Sequence, residues 1–208
     1  MSGFELYCYL RDKDLLQNKP KYWWPNVGSE WCLVSTILTQ NTKWQNVEKS
    51  MSNLENNLGK ISLEKLIDID ESYLVKLISP SGFKNQKSKR LKLLAKNILE
   101  EFGDFENFKE NVSREWLLNQ KGIGQESADA ILCYVCFREV MVVDKYTQRL
   151  LAQKVMEFFE YEDIQSYLQN EIIENWSEIE NENENDLNLC FARFHGMIVE
   201  ISKKSGII

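Results

Sequence analysis

Proline is scarce in this chain of 208 residues, which has only Pro20, Pro25 and Pro80. Linkers rich in glycine and serine and internal repeats are also missing, which excludes repeat architectures and leaves domain boundaries to be inferred from motifs. The longest apolar runs, such as residues 130–137, fall well short of the roughly 20 residues that cross a bilayer. The first residues lack the basic and apolar regions of a signal peptide, so we expect an intracellular protein with no membrane partner.

Cysteine and histidine offer no regular set of metal ligands. The five cysteines are an odd number without a framework, which in a reducing compartment indicates free, buried thiols. Cys133 and Cys136 lie within a predicted helix, where core packing is the simpler interpretation. The single histidine, His195, is expected to be a packing residue rather than a catalyst.

Charge is distributed unevenly along the chain. The net charge of −7 alone argues against a nucleic-acid binder. However, residues 84–96 contain six basic residues and no acidic one, whereas residues 155–192 contain eleven acidic residues and no lysine or arginine. One face of the protein is therefore suited to phosphate and another would repel it, although a basic helix face is often only solvated surface.

Apolar residues recur at spacings of three and four, and no segment alternates with period two, so the sequence predicts an all-α fold. Ser29 is a plausible N-cap for one helix, and Gly103 is a plausible stop for another. A further helix is expected over residues 187–202, whereas the polar stretch 177–186 is expected to be a solvated helix end or loop. Between two other predicted helices lies the segment 119–124, which indicates a tight turn.

The turn contains the pair Gly122 and Gly124. Glycine permits positive φ, and its lack of a side chain lets the backbone approach another molecule. Exposed amides of such a turn, together with the N-terminus of the next helix, can hold a phosphate oxygen. On spacing alone, however, a plain turn between helices is the simpler interpretation.

Three blocks of sequence resemble the endonuclease III superfamily of DNA glycosylases. LNQKGIGQESADAIL (residues 118–132), followed by VVDKYTQRL (142–150), is similar to its helix-hairpin-helix signature. Upstream, ILTQNT (37–42) and GFKNQKSKRL (82–91) are similar to two further family segments, in the family order. The resemblance implies an all-α, two-domain helix-hairpin-helix fold. A six-helix barrel is expected over residues 29–143, a second domain over 1–28 plus 144–208, and a cleft between the domains for a flipped base.

The resemblance also implies site residues. Asp144 takes the place of the family's essential carboxylate, which either stabilises the cationic sugar or deprotonates the attacking water; it is also a plausible helix N-cap. Gln40 would fill the space left by the flipped nucleotide, or else cap its helix. The residues expected to contact the DNA backbone are Lys84, Lys87, Lys121, Gly122, Ile123, Gly124 and Ser127.

Two departures from the family pattern narrow the expected chemistry. Members that cleave the strand carry a lysine two residues after the second hairpin glycine, where this chain has Glu126. Water is then the expected nucleophile, and the enzyme is expected to be monofunctional. Endonuclease III holds an iron-sulfur cluster with four cysteines near its C-terminus, whereas only Cys190 follows Asp144 here. We therefore expect no cluster, no catalytic metal and no cofactor.

Aromatic residues favour a substrate class. Trp23, Trp24, Pro25 and Trp44 resemble the residues that sandwich the base in the bacterial 3-methyladenine glycosylases of the superfamily. An N3-alkylated adenine is cationic, so it stacks well on indole and leaves without enzymatic protonation. Lys204, with Lys203, is expected to line the cleft from the C-terminal helix. In this interpretation the protein is a monomer that acts on damaged double-stranded DNA in the cytoplasm, at the bacterial nucleoid.

Two alternatives remain open at this stage. The first keeps the family but changes the substrate to oxidised pyrimidines or to adenine opposite a damaged guanine; the missing lysine and cysteines argue against it. The second is a non-catalytic DNA-binding protein that uses its hairpin as a phosphate clamp. Substitution of Asp144 separates the second from a glycosylase.

Overall fold

The computed structural model describes residues 1–155 and 160–206, and this part of the chain is helical with no strand. The all-α prediction is confirmed. The α-helices are, in chain order, α1 (Gly3–Arg11), α2 (Glu30–Thr39), α3 (Trp44–Leu58), α4 (Leu63–Asp68), α5 (Glu71–Leu77), α6 (Lys84–Phe102), α7 (Phe105–Asn111), α8 (Arg114–Leu118), α9 (Gln125–Tyr134), α10 (Lys145–Lys154), α11 (Tyr161–Glu174), α12 (Trp176–Ile179) and α13 (Leu187–Ser205). Two short 3-10 helices cover Ser79–Ser81 and Asn181–Asn183.

Short polar side chains begin many of these helices. Ser29 accepts a hydrogen bond from the Cys32 amide at the start of α2, as expected for an N-cap. Ser2 forms a capping box with Glu5 at the start of α1. At the other end of α6, Gly103 has φ 82°, which confirms the predicted stop.

The chain divides into two compact units. The terminal unit comprises Met1–Pro25 and Leu132–Ile208, and the central unit comprises Asn26–Ile131. The first boundary lies near the expected residue 28, but the second lies within α9 rather than at residue 143. The physical reason is that Met141 and Val143 are buried in the apolar core of the terminal unit.

The core of the terminal unit is formed by α1, α10, α11 and α13. In it, α1 packs against α11 and α13, and α10 packs against α13. Its buried apolar residues include Leu6, Leu150, Leu168, Phe191 and Ile198. Helix α13 therefore runs through the interior of the unit, which places its side chains close to the starts of other elements.

The core of the central unit surrounds α6. This helix packs against α2, α4, α5 and α7, while α2 also packs against α3. Buried residues at helical spacing, such as Leu91, Leu94 and Ile98, form the apolar face of α6. None of the described helices combines the length and the apolar character that a membrane crossing needs.

The segment 177–186 was expected to be a solvated helix end or loop; it is largely exposed and contains the end of a helix, but two of its residues are buried. Helix α12 and a 3-10 helix occupy much of it, and Ile179 and Asn183 are each only 1% exposed. The Asn183 amide donates to the Tyr7 hydroxyl at 2.9 Å and to the Ile179 carbonyl at 3.0 Å. One apolar residue and one hydrogen-bonded amide are enough to anchor an otherwise acidic segment.

Candidate active site

Asp144 lies at the start of α10 and is the N-cap of that helix. Its Oδ1 accepts the Thr147 amide at 2.8 Å and the Thr147 hydroxyl at 2.9 Å. The side chain is 14% exposed, so the carboxylate is largely removed from water. A helix N-terminus favours negative charge, so the cap and a role as an ionised carboxylate are compatible.

His195 lies beside Asp144, which the sequence did not indicate. Its Nε2 is 3.4 Å from Asp144 Oδ2, an ion-pair separation at which the nitrogen makes no hydrogen bond within the described residues. Its Nδ1 forms a 2.7 Å hydrogen bond with the Tyr134 hydroxyl, which also lies 3.2 Å from the Ala192 carbonyl. The imidazole is only 3% exposed, in agreement with the expected packing, and it also lies beside a carboxylate.

Burial and polar partners act in opposite directions on Asp144. Burial raises the pKa of this carboxyl, whereas His195 and the Thr147 amide and hydroxyl lower it. The net effect places the pKa of Asp144 below its ordinary value, so the group is ionised at neutral pH.

Aromatic side chains gather next to this carboxylate, all of them within the terminal unit. The Trp23 ring centroid is 5.3 Å from that of His195, and Trp24 is 5.1 Å from Tyr134. Trp23 and Trp24 contact each other edge to face at 5.8 Å. Trp23 and Trp24 are therefore connected to Asp144 through His195 and Tyr134, two residues that the sequence analysis did not place in the site.

Trp23 is held in an unusual conformation. Its φ of 66° is in the left-handed region, which is costly for a bulky residue. Gly196 on α13 provides the space, because a Cβ at that position would overlap the indole. The indole Nε1 donates to Glu200 Oε1 at 3.1 Å, and Glu200 is paired with Lys19 and Lys203.

Of the two lysines expected from the C-terminal helix, Lys203 is the one in contact with the aromatic residues. Its Nζ lies 5.7 Å from the centroid of the Trp23 ring. Lys204 is exposed, and its contact with a base stays a prediction. Pro25 follows Trp24 and is half-buried. Trp44 begins α3 in the central unit, where its ring lies 6.5 Å from Trp31.

The hairpin is formed as expected by α8, a turn and α9. Gly122 has φ 83°, a left-handed conformation that suits glycine, and a Cβ there would overlap the Arg90 guanidinium. Lys121, Gly122 and Gly124 are exposed, whereas Ile123 is buried and anchors the turn. The turn therefore exposes its backbone to solvent while the buried Ile123 side chain holds it in place, as a phosphate site requires.

Gln40 is the C-cap residue of α2, and its side chain is bound to this hairpin. Its Nε2 donates to the Gly122 carbonyl at 3.0 Å and to Ser127 Oγ at 2.9 Å, and its Oε1 accepts from Arg90 at 2.8 Å. The structure thus brings together three residues that the sequence analysis assigned to the DNA interface: Gln40, Gly122 and Ser127.

The expectation that Lys87 contacts DNA is wrong in this structure. Lys87 is 1% exposed, and its Nζ donates to the Leu38 carbonyl, to Thr42 Oγ1 and to the Ser81 carbonyl at 2.6 to 2.9 Å. An ammonium with its three protons engaged inside the protein cannot also meet a phosphate. Lys84, at the first position of α6, is exposed and remains a candidate for that contact.

Phe83 was missed by sequence reasoning. It is 63% exposed, has φ 44°, and lies immediately before α6. An exposed large apolar side chain in a left-handed conformation is costly on both counts, which makes Phe83 a candidate functional residue. Lys87 ties the adjoining Ser81 carbonyl to Thr42, so Phe83 follows a turn that is fixed to the segment after Gln40.

Residues 34–179 match the sequence profile of the HhH-GPD superfamily of base excision DNA repair proteins. The 3-methyladenine DNA glycosylase of H. pylori (MagIII), solved with 1,N6-ethenoadenine, is 46% identical and has a TM-score of 0.95, with 99% of each chain covered. A protein of Methanocaldococcus jannaschii that bears the name of a DNA repair glycosylase is 35% identical over 97% of this chain and 87% of its own length. Endonuclease III of Thermotoga maritima is 28% identical over 57% of this chain and 53% of its own length.

Proposed function

Because this chain belongs to the HhH-GPD superfamily of base excision DNA repair proteins, and is a DNA glycosylase, we propose that it hydrolyses the N-glycosidic bond of alkylated purines, chiefly 3-methyladenine, without cutting the strand. The observation that carries the substrate class is the pairing of one ionised, buried carboxylate with a group of indole and phenol rings. Electron-rich rings favour a cationic base, and such a base needs no acid to leave.

The proposed chemistry uses Asp144 and water. As the glycosidic bond breaks, its electron pair goes to the cationic base, which leaves neutral, and the sugar takes up positive charge. The ionised Asp144 stabilises that charge and accepts a proton from the water that adds to the sugar carbon. Position 126 carries glutamate, so it offers no amine for a Schiff base, and we propose that the product is an intact strand with an abasic site.

DNA is the macromolecular partner of the superfamily, and we propose specific contacts for this chain. The exposed backbone of Gly122 to Gly124, with Lys121, would bind phosphate, and Lys84 would add a second phosphate contact. Phe83 would insert into the base stack of the duplex next to the flipped-out nucleotide, as apolar side chains do where they unstack a duplex. We propose a monomer that works at the DNA of the cytoplasm.

The test is release of free base from methylated duplex DNA, resolved by chromatography, with the product checked for breaks before and after alkali. We expect free 3-methyladenine, and breaks only after alkali. Release of no methylated base would overturn the substrate assignment, and breaks without alkali would overturn the inference from Glu126.

A matched pair of variants separates catalysis from binding. Asp144→Asn should lose excision by on the order of a hundred-fold or more while still binding duplex, because an amide can cap α10 but cannot stabilise a cation. Asp104→Asn changes another aspartate N-cap, at the start of α7, and should keep normal excision. Equal loss in both variants would mean that capping, not catalysis, is the role of Asp144.

A further inference from the structure

His195 makes contacts that the proposed chemistry does not yet use. It lies on α13, the helix that runs through the terminal unit. From this position the imidazole reaches Tyr134 on α9, Asp144 at the start of α10 and the indole of Trp23. One buried side chain thus connects the carboxylate to the aromatic group.

The proton arrangement follows from the donors available. The Tyr134 hydroxyl has one proton and two acceptors in reach, the Ala192 carbonyl at 3.2 Å and His195 Nδ1 at 2.7 Å. If it donates to Nδ1, the neutral imidazole carries its proton on Nε2. If it donates to the carbonyl, Nδ1 must carry a proton, and a buried carboxylate then requires a second proton on Nε2 to avoid facing a lone pair. In both arrangements Nε2 of His195 carries a proton, 3.4 Å from Oδ2 of Asp144.

We propose that His195, held by Tyr134, is a positioning residue that fixes Oδ2 of Asp144 and keeps the carboxylate ionised for its role at the sugar. The inference rests on the proposed function for the identity of the reaction, and on the contacts alone for the control of Asp144. Thr147 donates to Oδ1, whereas His195 lies 3.4 Å from the other oxygen, Oδ2, and is placed to influence it.

The charged and titratable groups around His195 and Trp23 fall into two sets. In the part of the chain that the structure describes, the titratable groups in contact with the imidazole are Tyr134 on α9 and Asp144, the N-cap of α10. Glu200, with Lys19 and Lys203, meets the indole of Trp23 instead. Without His195, the pKa of Asp144 should rise, because burial raises it and only the Thr147 amide and hydroxyl would remain to lower it.

Two independent measurements test the proposal on the full-length protein. The first is the titration of Asp144 by carboxyl carbon NMR, which needs no activity. In His195→Leu we expect the pKa of Asp144 to rise by about one unit or more, since an opposite charge or donor at this range shifts a carboxylate by about that amount. An unchanged pKa would overturn the proposal.

The second is single-turnover excision of 3-methyladenine against pH. In His195→Leu the acidic limb should move to higher pH with the NMR value, and the plateau should fall by about ten-fold or more, by analogy with other general acid–base systems. His195→Gln retains a donor and should recover part of the plateau, and Tyr134→Phe should shift the limb in the same direction by a smaller amount. A uniform loss at every pH, with no shift of the limb, would indicate a structural role only and would also overturn the proposal.

The outcomes separate this inference from the proposed function. If the wild-type protein releases no 3-methyladenine but the NMR shift appears, the substrate assignment fails and the control of Asp144 stands. If the wild-type protein is active, but His195→Leu changes neither the pKa of Asp144 nor the acidic limb of the pH profile, the proposed function stands and His195 has no positioning role. Thermal melts show whether each variant is folded. If His195→Leu does not fold, the pKa of Asp144 and the acidic limb are measured in Tyr134→Phe, which removes only one oxygen.

Discussion

The Lys87 ammonium is buried among oxygen atoms from two separate segments of the chain. It joins the end of α2, through the Leu38 carbonyl and Thr42, to the turn before α6, through the Ser81 carbonyl. We expect Lys87→Met, which fills a similar volume, to destabilise the protein by about 2 kcal/mol or more, because it leaves buried oxygens without donors. Chemical denaturation measures this, with exposed Lys76→Gln as the control.

The same residue gives a pH dependence of defined sign. Burial, followed by the charge of Arg90, lowers the pKa of Lys87 from 10.5 to about 8. Between these two values the unfolded chain binds more protons than the folded one, so the contribution of Lys87 to stability improves as pH rises. The free-energy difference between the wild-type protein and Lys87→Met should therefore widen from pH 8 to pH 10. A constant difference would contradict the lowered pKa.

Gly196 controls the position of Trp23. A methyl group at this position overlaps the indole, whose rigid ring cannot yield as a flexible chain would. We expect Gly196→Ala to slow excision by about ten- to a hundred-fold, the range associated with a misplacement of about 1 Å in an active site, and to leave binding to undamaged DNA unchanged. In a Trp23→Ala background the same change should have little further effect; an equal loss in both backgrounds would show that Gly196 acts elsewhere.

Single residues divide into those that motifs reveal and those that only packing reveals. Asp144, Gly122 and Gln40 stand within sequence blocks of recognisable spacing. No motif identifies the contacts of His195 and Lys87, because each contacts oxygen atoms from distant parts of the chain. The signal for Lys87 was misleading: its basic neighbours on α6 favoured a phosphate contact, whereas its helical phase points it inward.

The two helices of the hairpin are joined by an ion pair. Arg114 on α8 donates through Nε and Nη2 to the two oxygens of Asp129 on α9, at 2.7 and 3.1 Å, and the Asp129 side chain is fully buried. Such a forked pair fixes the angle between the helices as well as their separation.

A double-mutant cycle tests the contribution of this pair. We expect Asp129→Asn to cost up to about 3 kcal/mol, at the low end for a broken buried pair because Arg114 is 31% exposed and regains water. With Arg114→Gln, the coupling energy should be about 1–3 kcal/mol. Denaturant unfolding provides the energies. Additive effects of the two substitutions would mean that the pair does not hold the hairpin together.

Elements were predictable where local rules decide them. The stop at Gly103 and the cap at Ser29 follow from residue type and position, because capping involves only neighbouring residues. In segment 177–186 the solvated helix end was predictable, but the burial of Ile179 and Asn183 was not, because it depends on partners that composition does not reveal. The exposure of Phe83 was likewise not predictable from the sequence, because exposure is a property of the folded chain.

At the level of the whole molecule, the family blocks fixed the fold class but not the position of both boundaries. The resemblance to the endonuclease III superfamily is confirmed, and the fold is that of its glycosylases. The shift of the second boundary into α9 arises because residues after the hairpin carry apolar side chains that complete the terminal core. A sequence motif locates the site residues, whereas a domain boundary depends on which hydrophobic core buries the residues around it.

The uneven charge of the whole chain leads to a final prediction on DNA affinity. A protein of net charge −7 binds a polyanion only where basic groups are concentrated and acidic ones are kept away. Each phosphate contact releases counterions, so the loss of one contact reduces the slope of log affinity against log salt by about 1. We expect this reduction in Lys84→Gln and in Lys121→Gln, and about twice as much in the double variant.

Lys76→Gln is the matched control, because it removes the same charge from an exposed position on α5, outside the hairpin and the basic segment. Titration of a fluorescent duplex over a series of salt concentrations gives the slopes. If all three single variants lower the slope equally, the attraction is a diffuse effect of net charge, and the assignment of Lys84 and Lys121 to phosphates fails. If only Lys84→Gln and Lys121→Gln lower it, the DNA backbone passes over the start of α6 and the hairpin turn, as their exposure suggests.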